Sequence, residues 1–417
     1  MHADGRSFLL LQGPCTTFFR RLAQHLVCQG HRVRVLNFNG GDYAFRLGLP
    51  CDTFRGKLSD LPAFLADIWQ RYAITDQVMF GDRRPVHRPA IEHAASHGVR
   101  THVFEEGYLR PHWITLEREG VNGHSLLPRN PDWFTAAAER LGPTPAIRFR
   151  SSFKVRALND VAYHLAGLVN PLVCPHYRNH APVTAPMEYA GYLKRFTMLR
   201  LRYRKQAAQR INQLVNSKTP YFVLPLQLNG DAQIRDHSRF KDMRDVISDV
   251  MTSFAAHAKP QAQLVIKNHP LDMGLLDYAG YIQRKAMALG LEQRVVYLES
   301  GDLNQLLPNA SGMVTVNSTA GLVALEHRCP TLTLSDPIYA IHGLTSSATL
   351  NAFWEENERP DATLLQSFLT TLRYCTQVNG GFYCNTGMDL AIRNSATLLE
   401  ADRSPLEEML ACLPNTA

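Results

Sequence analysis

Strand-like and helix-like segments alternate along the first part of this chain. Ser7–Gln12 is an apolar strand that ends in Gly13 and Pro14, and Phe18–Gln29 has apolar residues at helical spacing before a C-capping Gly30. The alternation continues with predicted strands and helices at Arg32–Phe38, Leu61–Ala73, Gln77–Phe80, Ala90–His97 and Thr101–Phe104. Because helices join consecutive strands, this pattern predicts a parallel sheet that is covered on both faces.

A second run of alternating segments begins at Tyr221. Its strands are predicted at Tyr221–Gln227, Gln263–Lys267, Arg294–Leu298, Met313–Val316 and Thr331–Leu334. A chain of 417 residues exceeds one ordinary core, so each run is expected to form a domain. We predict an α/β, GT-B-like fold, with two Rossmann-like domains whose parallel sheets face a central cleft. The expected divisions are an N-terminal Rossmann-like domain at 1–145, a basic helical segment at 146–218, a C-terminal Rossmann-like domain at 219–360, and helices at 361–417 that pack back on the first domain.

Basic residues are concentrated between Arg148 and Lys218, where thirteen Lys or Arg accompany two acidic residues, Asp160 and Glu188. This segment has a net charge of +11 while the whole chain has +7, so the remainder is about −4. Tyrosine and phenylalanine side chains lie among these cations. The segment is expected to face the anionic headgroups of a membrane, since no recognised nucleic-acid-binding module accompanies it. A solvated helical linker is the alternative.

Three features bear on the cellular compartment. No signal-peptide pattern opens the sequence, and no apolar run reaches the roughly 18–20 residues that span a bilayer. The eight cysteines show neither C-x-x-C pairing nor zinc-ligand spacing, so most are expected to be buried reduced thiols. We therefore expect a cytoplasmic protein that binds the inner face of the cytoplasmic membrane peripherally.

Polar residues follow three predicted strands of the second domain. Asp231, between Gln227 and Arg235, is placed either to meet a substrate or to occupy an ordinary Asn-Gly-Asp turn. In Asn268-His269-Pro270 the imidazole can donate a hydrogen bond to a phosphate. In Asn317-Ser318-Thr319-Ala320-Gly321 hydroxyls and amides open a helix, which suits either a phosphate or a simple N-cap. Since the carboxyl ends of parallel strands meet at one sheet edge, the combination predicts a nucleotide-phosphate pocket.

The first domain offers candidate acid–base and acceptor residues at its own strand ends. Phe104–Pro111 contains Glu105 and Glu106, which are candidates for a general acid or base unless they form a solvated turn. The residues predicted to line the acceptor side are Gly13, Asp42 of the turn Asn39-Gly40-Gly41-Asp42, Asp82 of Gly81-Asp82-Arg83-Arg84, Tyr108 and Arg110. The absence of G-x-G-x-x-G and P-loop motifs disfavours dehydrogenases and P-loop NTPases.

In their order along the chain, these sequence motifs make the protein resemble the KpsS/LipB-type family of capsule polysaccharide biosynthesis and export proteins of Gram-negative bacteria. The resemblance covers nearly the whole chain, and its markers are Leu9–Gly13, Phe38–Asp42, Phe80–Asp82, Phe104–Pro111, Leu226–His237, Val265–Pro270, Val314–Gly321 and Thr376–Asn379. It implies a retaining β-Kdo transferase. Such an enzyme would move the acidic sugar Kdo from CMP-β-Kdo to a phosphatidylglycerol-type lipid, and so begin the poly-Kdo linker of a capsular polysaccharide.

The resemblance, together with the chemistry of retaining transfer of an acidic sugar, implies roles for individual residues. Asp231 would be the nucleophile, and Glu105 or Glu106 would deprotonate the acceptor in a double displacement. Arg235 would pair with the carboxylate of the sugar. The other residues expected to bind the CMP-sugar are Gln227, Lys267, His269, Pro270, Asn317, Ser318, Thr319 and Glu326.

Two positions depart from what relatives carry, so Asn268 is assigned no catalytic role and Asp236 is a poorer nucleophile candidate than Asp231. Two other functions stay open. One is a non-catalytic export component that binds the lipid-linked polysaccharide, and the other is a transferase that extends an already glycosylated lipid. No cofactor is expected, and no metal, because no D-x-D-type carboxylate pair follows a strand of the second domain. Other capsule biosynthesis or export proteins are expected as partners, and nucleic acid is not.

Overall fold

The computed structural model describes residues 5–178, 191, 195, 198–199, 203–228, 238–355 and 358–413. The chain divides into two compact units. Unit 1 comprises Met1–Pro128, Ala136–His180 and Leu369–Ala417, and unit 2 comprises Arg129–Thr135 and Ala181–Phe368. Each unit contains a parallel or largely parallel sheet packed with helices, which confirms the predicted α/β fold with two Rossmann-like domains. The four-part division drawn from the sequence stays a prediction.

The described strands form two sheets. In chain order they are β1 Ser7–Leu10, β2 Arg32–Asn37, β3 Cys51–Thr53, β4 Asp76–Phe80, β5 Arg100–Glu106, β6 Trp113–Arg118, β7 Tyr221–Pro225, β8 Gln263–Lys267, β9 Val295–Leu298, β10 Gly312–Thr315, β11 Thr331–Thr333 and β12 Gln377–Asn379. The sheet of unit 1 has the order β12-β6-β5-β4-β1-β2-β3, and that of unit 2 has the order β11-β10-β7-β8-β9. All pairings between the described strands of unit 2 are parallel.

Helices fill most of the connections between these strands. The described α-helices are α1 Phe18–Cys28, α2 Gly40–Phe45, α3 Leu61–Arg71, α4 Arg88–Ala94, α5 Pro131–Glu139, α6 Phe153–Ala166, α7 Asn170–Val173, α8 Arg204–Asn216, α9 Met243–His257, α10 Tyr278–Leu289, α11 Leu303–Leu306, α12 Ala320–Glu326, α13 Ala362–Thr376, α14 Asn385–Glu400 and α15 Pro405–Cys412. Helices α1, α3 and α4 coincide with the predicted segments Phe18–Gln29, Leu61–Ala73 and Ala90–His97, with boundaries that differ by a few residues.

The sheet of unit 1 is mixed, which corrects the prediction of a purely parallel one. Strand β6 is antiparallel to β5 and to β12. The chain between Glu106 and Trp113 is too short for the crossover helix that a parallel neighbour requires, so β5 and β6 form a hairpin. Strands β3 and β12 were also missed, because each has only three residues and shows no periodic pattern.

Alternate residues of the central strands reach different hydrophobic clusters. In β1 and its extension, Phe8 and Leu10 pack with residues of α1 and α14, whereas Leu9 and Leu11 pack with residues of α3 and α4. Strand β7 shows the same alternation. Its even-numbered residues pack with residues of α9 and α10, and its odd-numbered residues pack with residues of α8 and α12. Since successive side chains point to opposite faces, both sheets are covered on both sides, as predicted.

The strand orders locate one switch point in each sheet. In unit 2 the chain runs outward from β7 through β8 to β9 and then returns to place β10 on the other side of β7. In unit 1 it runs outward from β1 and returns to place β4 on the other side of β1. Open α/β sheets bind ligands beyond the carboxyl ends of the strands at such points. Ligands are therefore expected to bind at the loops after β7 and β10 in unit 2, or at those after β1 and β4 in unit 1.

Candidate functional site

At the switch point of unit 2 the loops after β7 and β10 are joined by two hydrogen bonds. The side chain of Gln227 donates from Nε2 to Oδ1 of Asn317 at 2.9 Å. In return, the backbone N–H of Asn317 donates to Oε1 of Gln227 at 3.3 Å. Gln227 is buried, so this reciprocal pair fixes the start of the Asn317-Ser318-Thr319 loop against the end of β7. The structure thus brings together two residues that the sequence predicted for donor binding.

A hydrogen bond from Tyr339 holds the loop after β10 in place. The hydroxyl of Tyr339 donates to the backbone carbonyl of Ser318, and a Cβ atom added at Gly321 would lie 2.2 Å from that hydroxyl oxygen. Glycine is therefore required for α12 to approach Tyr339. The Ser318 hydroxyl accepts from the N–H of Ala320 at 3.1 Å, whereas the Thr319 side chain makes no capping hydrogen bond. Helix α12 has only seven residues, so the hydroxyls and amides of the loop matter more here than a helix dipole.

The loop after β8 is organised by Asn268. Its side-chain oxygen accepts from the backbone N–H of His269 at 2.7 Å, and its side-chain nitrogen donates to Asp272 and Glu299, each at 3.3 Å. The Nδ1 atom of His269 accepts from the N–H of Leu271 at 3.1 Å. A neutral His269 therefore carries its proton on Nε2, as a hydrogen-bond donor. These contacts give Asn268 a positioning role within the loop.

Lys267, the last residue of β8, is a buried cation. Its Nζ donates to the carbonyl of Asn268 at 3.2 Å. Burial lowers the pKa of this amine to about 8, although the carboxylate of Asp302 acts in the opposite direction. A buried ammonium that is this costly to keep charged would gain strongly from an anionic ligand. Pro270 follows on the exposed side of the same loop.

One residue of the basic segment turns inward, which the sequence did not reveal. Arg195 is 7% exposed and lies 2.6 Å from a carboxylate oxygen of Asp272 and 3.3 Å from one of Glu299. It also donates to the backbone carbonyls of His269 and Glu299. Its predicted place with the other cations on a membrane-facing surface is therefore wrong, because two acids in the loops after β8 and β9 bind it. In sequence nothing distinguishes it from its basic neighbours.

At the switch point of unit 1, Arg84 joins the loops after β1 and β4. Its Nη1 donates to Oε1 of Gln12 at 3.0 Å and to the backbone carbonyl of Gly13 at 3.1 Å. A Cβ atom at Gly13 would lie 2.8 Å from the ring of Phe19, so the chain passes α1 at close range. Arg84 was not among the predicted site residues, although it belongs to the Gly81–Arg84 string.

Asp42 lies at the centre of a buried hydrogen-bond network. One carboxylate oxygen accepts from the Tyr163 hydroxyl at 2.8 Å, and the other accepts from the N–H of Phe38 at 3.0 Å and from Gln12 at 3.3 Å. The predicted turn around it is wrong, because Asn39 instead caps helix α2 by accepting from the N–H of Asp42 at 2.9 Å. These contacts support the fold of the loop, and contact of Asp42 with an acceptor stays a prediction.

Glu105 and Glu106 at the end of β5 have different environments. Burial raises the pKa of the Glu105 carboxyl to about 7, although the N–H of Glu106, which donates to it at 3.0 Å, and the charge of Arg84 both lower the pKa. Glu106 instead accepts from the Tyr383 hydroxyl at 2.9 Å and pairs with Arg156 at 3.1 Å. The pKa of the Glu105 carboxyl therefore lies near neutral pH, whereas Glu106 is held in an ion pair.

The remaining predicted residues lie in varied settings. Asp82 is buried and accepts from the ring Nδ1 of His124 at 2.9 Å, while the hydroxyl of Tyr108 donates to Glu117 at 2.9 Å. Arg110 is exposed in the β5–β6 connection. Glu326 is exposed at the far end of α12, about 9 Å along the axis from Ala320 at 1.5 Å per residue. The structure does not bring Glu326 together with the strand-end loops.

Asp231 and Arg235 lie outside the described residues. Among the residues that are described, no group of three or more His, Cys, Asp or Glu side chains is arranged to hold a metal ion. In the same part of the chain, no helix is both long and apolar enough to cross a membrane.

All eight cysteines are unpaired, and only Cys174, Cys329 and Cys375 are buried, so the expectation that most are buried thiols is wrong.

Comparison with known sequences defines the class of protein. The family profile described as "Capsule polysaccharide biosynthesis protein" matches residues 75–383. This span includes the loop after β5 and the loops that follow the strands of unit 2. The chain therefore belongs to the capsule polysaccharide biosynthesis protein family, which confirms the resemblance drawn from its strings.

Individual members of this family are similar to the chain over most of their length. The chain is 35% identical over 384 residues to the capsule polysaccharide export protein KpsS of Escherichia coli, covering 91% of this chain and 97% of KpsS. It is 36% identical over 393 residues to the capsule polysaccharide modification protein LipB of Neisseria meningitidis serogroup B, covering 91% and 92% of the two chains. Among solved structures, the beta Kdo 2,7 transferase KpsC of Thermosulfurimonas dismutans is 13% identical, with a TM-score of 0.44 over 93% of this chain and 99% of that chain.

Proposed function

We propose that this protein is a retaining β-Kdo glycosyltransferase that moves Kdo from CMP-β-Kdo to a phosphatidylglycerol-type lipid. The product would be the first unit of the poly-Kdo linker of a capsular polysaccharide. Membership of the capsule polysaccharide biosynthesis family supports the biological setting. The observation that carries the catalytic part is Glu105, a carboxyl at a strand end whose pKa of about 7 suits proton transfer at neutral pH.

The reaction would proceed in two displacements at the anomeric carbon. In the first, a carboxylate oxygen of Asp231 bonds to that carbon while the bond to the phosphate oxygen of CMP breaks and CMP leaves. In the second, the acceptor hydroxyl attacks the same carbon, its proton passes to the carboxylate of Glu105, and Asp231 is released. Two inversions give net retention, as in retaining glycosidases. Of the two glutamates predicted from sequence, we assign the base to Glu105, because Glu106 is paired with Arg156.

The donor would be held by the loops at the switch point of unit 2. Asn317, Ser318 and Thr319 offer amides and hydroxyls, and His269 offers a donor at Nε2. Lys267 supplies positive charge whose pKa of about 8 leaves it mostly protonated at pH 7. These groups suit the single phosphate of CMP-Kdo without a metal, and adding EDTA to a transfer reaction tests that expectation. Arg235 would bind the carboxylate of Kdo.

The acceptor would be reached at the inner face of the cytoplasmic membrane. Basic residues between 148 and 218 would attract anionic headgroups, at about 1 kcal/mol for each one near the surface. The names of the curated relatives, which refer to capsule export and capsule modification, support partner proteins of the same process. Gly13, Asp82, Tyr108 and Arg110 remain the proposed acceptor-side residues, and Asp42 is proposed there only through its network.

A pair of matched variants tests the nucleophile. Asp231→Asn should reduce transfer at least about 1,000-fold, whereas Asp236→Asn, five residues further on, should retain most activity. Transfer is followed by the mass of the lipid product and by CMP release, and circular dichroism checks that both variants fold. If Asp231→Asn keeps more than a few per cent of activity, Asp231 is not the nucleophile.

The name of the Escherichia coli relative favours a second candidate, a non-catalytic export component. Such a protein would bind the lipid-linked polysaccharide without releasing CMP from CMP-Kdo. A chain-extending transferase would release CMP only with a lipid that already carries Kdo. Offering bare phosphatidylglycerol and Kdo-phosphatidylglycerol side by side therefore distinguishes all three functions.

A further inference from the structure

The helical stretch from Phe153 to Val173 in unit 1 carries an apolar stripe that faces outward. Helix α6, a short 3₁₀ turn at Gly167–Val169 and helix α7 follow one another almost without interruption. Exposed apolar residues recur along this stretch at alternating spacings of three and four, at Val155, Leu158, Ala162, Leu165, Val169 and Leu172. This spacing puts them on one side of a helix, which is the side that normally faces a core.

The exposure along this stripe is large. Leu158 is 69% exposed, Leu165 60% and Leu172 76%, and the adjoining Leu168 is 74% exposed. Among the described residues, nine of the seventeen exposed large hydrophobic side chains lie between Ile147 and Val173. Single exposed leucines are ordinary on a protein surface, but a contiguous group of this kind marks an interaction surface.

The opposite side of the same stretch is firmly held. Tyr163 is buried and donates to Asp42, and Asn170 accepts from the backbone N–H of Gly40 at 2.7 Å. A Cβ atom at Gly40 would lie 2.3 Å from the carbonyl oxygen of Ala166, so α2 and α6 touch backbone to backbone. The outward direction of the stripe therefore follows from fixed contacts and does not depend on a loosely attached helix.

Charge around the stripe indicates what it meets. Exposed Arg148, Arg150 and Lys154 precede it, and exposed Arg178 follows it, while Asp160 is the one acidic residue between positions 148 and 178. An apolar helix face bordered by cations is the pattern of a helix that lies in the interface of an anionic bilayer. A soluble partner protein with a matching acidic rim would be the competing occupant.

We propose that α6 and α7 insert their leucine stripe into the headgroup–acyl boundary of an anionic phospholipid bilayer. The cations bring the surface close, and burial of the leucines in the acyl region then holds it there. This inference rests on the lipid-acceptor part of the proposed function but concerns binding alone. Vesicle binding without Kdo transfer would refute only the proposed function, and transfer to a detergent-dispersed acceptor without vesicle binding would refute only this inference.

The test compares two variants with four substitutions each. Leu158, Leu165, Leu168 and Leu172 are changed to serine in the first, and the exposed leucines Leu47, Leu58, Leu126 and Leu275 are changed to serine in the second. Co-sedimentation with vesicles of phosphatidylglycerol and phosphatidylcholine at 1:3 should show at least about 30-fold weaker partitioning for the first variant and no change for the second. The loss should persist at 0.5 M salt, where the contribution of charge is screened.

A fluorescent reporter measures insertion directly and needs no destabilising change. Leu165→Trp should shift its emission to the blue and be quenched by vesicles with brominated acyl chains, whereas Leu275→Trp should do neither. Equal binding of the two serine variants, or a Leu165→Trp signal that the brominated chains leave unquenched, would overturn the inference. So would a dimer in solution that the first serine variant dissociates while vesicle binding stays the same, since the stripe would then be a contact between two copies of this chain.

Discussion

Glu105→Gln removes one ionisable group from the half-buried end of β5 while preserving the size of the side chain. The pKa of the folded carboxyl is about 7 against an ordinary value of 4.5, so ionisation costs the folded state about 3 kcal/mol at 1.36 kcal/mol per pKa unit. This cost is absent below pH 4.5, where both states are protonated, grows between pH 4.5 and 7, and is complete above pH 7. Glutamine stays neutral, so the variant should exceed the parent in stability by about 3 kcal/mol at pH 8 and match it near pH 4.

The same substitution should have the opposite effect on activity. If Glu105 accepts the acceptor proton, its loss lowers the transfer rate by about 100-fold or more at pH 8. In the parent protein kcat/KM should fall tenfold per pH unit below pH 7, because the carboxyl becomes protonated, and this limb should vanish in the variant. Urea unfolding from pH 4 to 8.5 and initial rates over the same range measure both effects.

Glu106→Gln is the matched control. It breaks an ion pair in which the Arg156 and Glu106 side chains are 39% and 21% exposed, so it should destabilise the protein by about 1 kcal/mol at neutral pH. It should keep the acidic limb of the rate profile. Glu105→Gln would contradict these predictions if it gained no stability between pH 4 and 8. So would an acidic limb that survives in Glu105→Gln and disappears in Glu106→Gln.

Three further substitutions test the loops of unit 2. Gly321→Ala should cost about 2 kcal/mol of stability in urea unfolding, because its Cβ would lie 2.2 Å from the Tyr339 hydroxyl, and adding Tyr339→Leu should recover part of the loss. Gln227→Ala removes both hydrogen bonds to Asn317 and should raise KM for CMP-Kdo about tenfold with a smaller change in kcat; an unchanged KM would separate this pair from donor binding. Lys267→Met should stabilise the protein by up to about 3 kcal/mol below pH 8, because burial makes the charged ammonium of Lys267 unfavourable there. The same variant should have a higher KM for the donor. A stabilised variant with unchanged KM would exclude Lys267 from the donor site.

Much of the scaffold could be predicted from the sequence, because both sheets have strong local signals. The strands β7, β8 and β10 are buried apolar runs, and polar loops follow each of them, so their alternation with helices indicates parallel order. The β5–β6 hairpin escaped prediction because it depends on the length of a connection. Strand β12 pairs with β6 across more than 250 residues of chain, and its three residues contain no local sign of that partner.

The site could be predicted only as a set of loops. Strand ends placed Gln227 and Asn317 at the same sheet edge, but their mutual hydrogen bonds depend on β7 and β10 being neighbours, which the strand order alone decides. Adjacent glutamates look alike in sequence, and the burial of Glu105 and the pairing of Glu106 with Arg156 separate them only in three dimensions. Arg195 shows the same limit, since its burial depends on Asp272 and Glu299 from distant loops.

The proposed function depends above all on transfer of Kdo from CMP-Kdo to phosphatidylglycerol. The purified protein is incubated with both substrates, and CMP release is compared with the lipid product identified by mass spectrometry. We expect one Kdo added per lipid and one CMP released per Kdo transferred, with the β configuration of the donor kept in the product. Folded protein that binds the lipid but releases no CMP and forms no glycosylated lipid would contradict it.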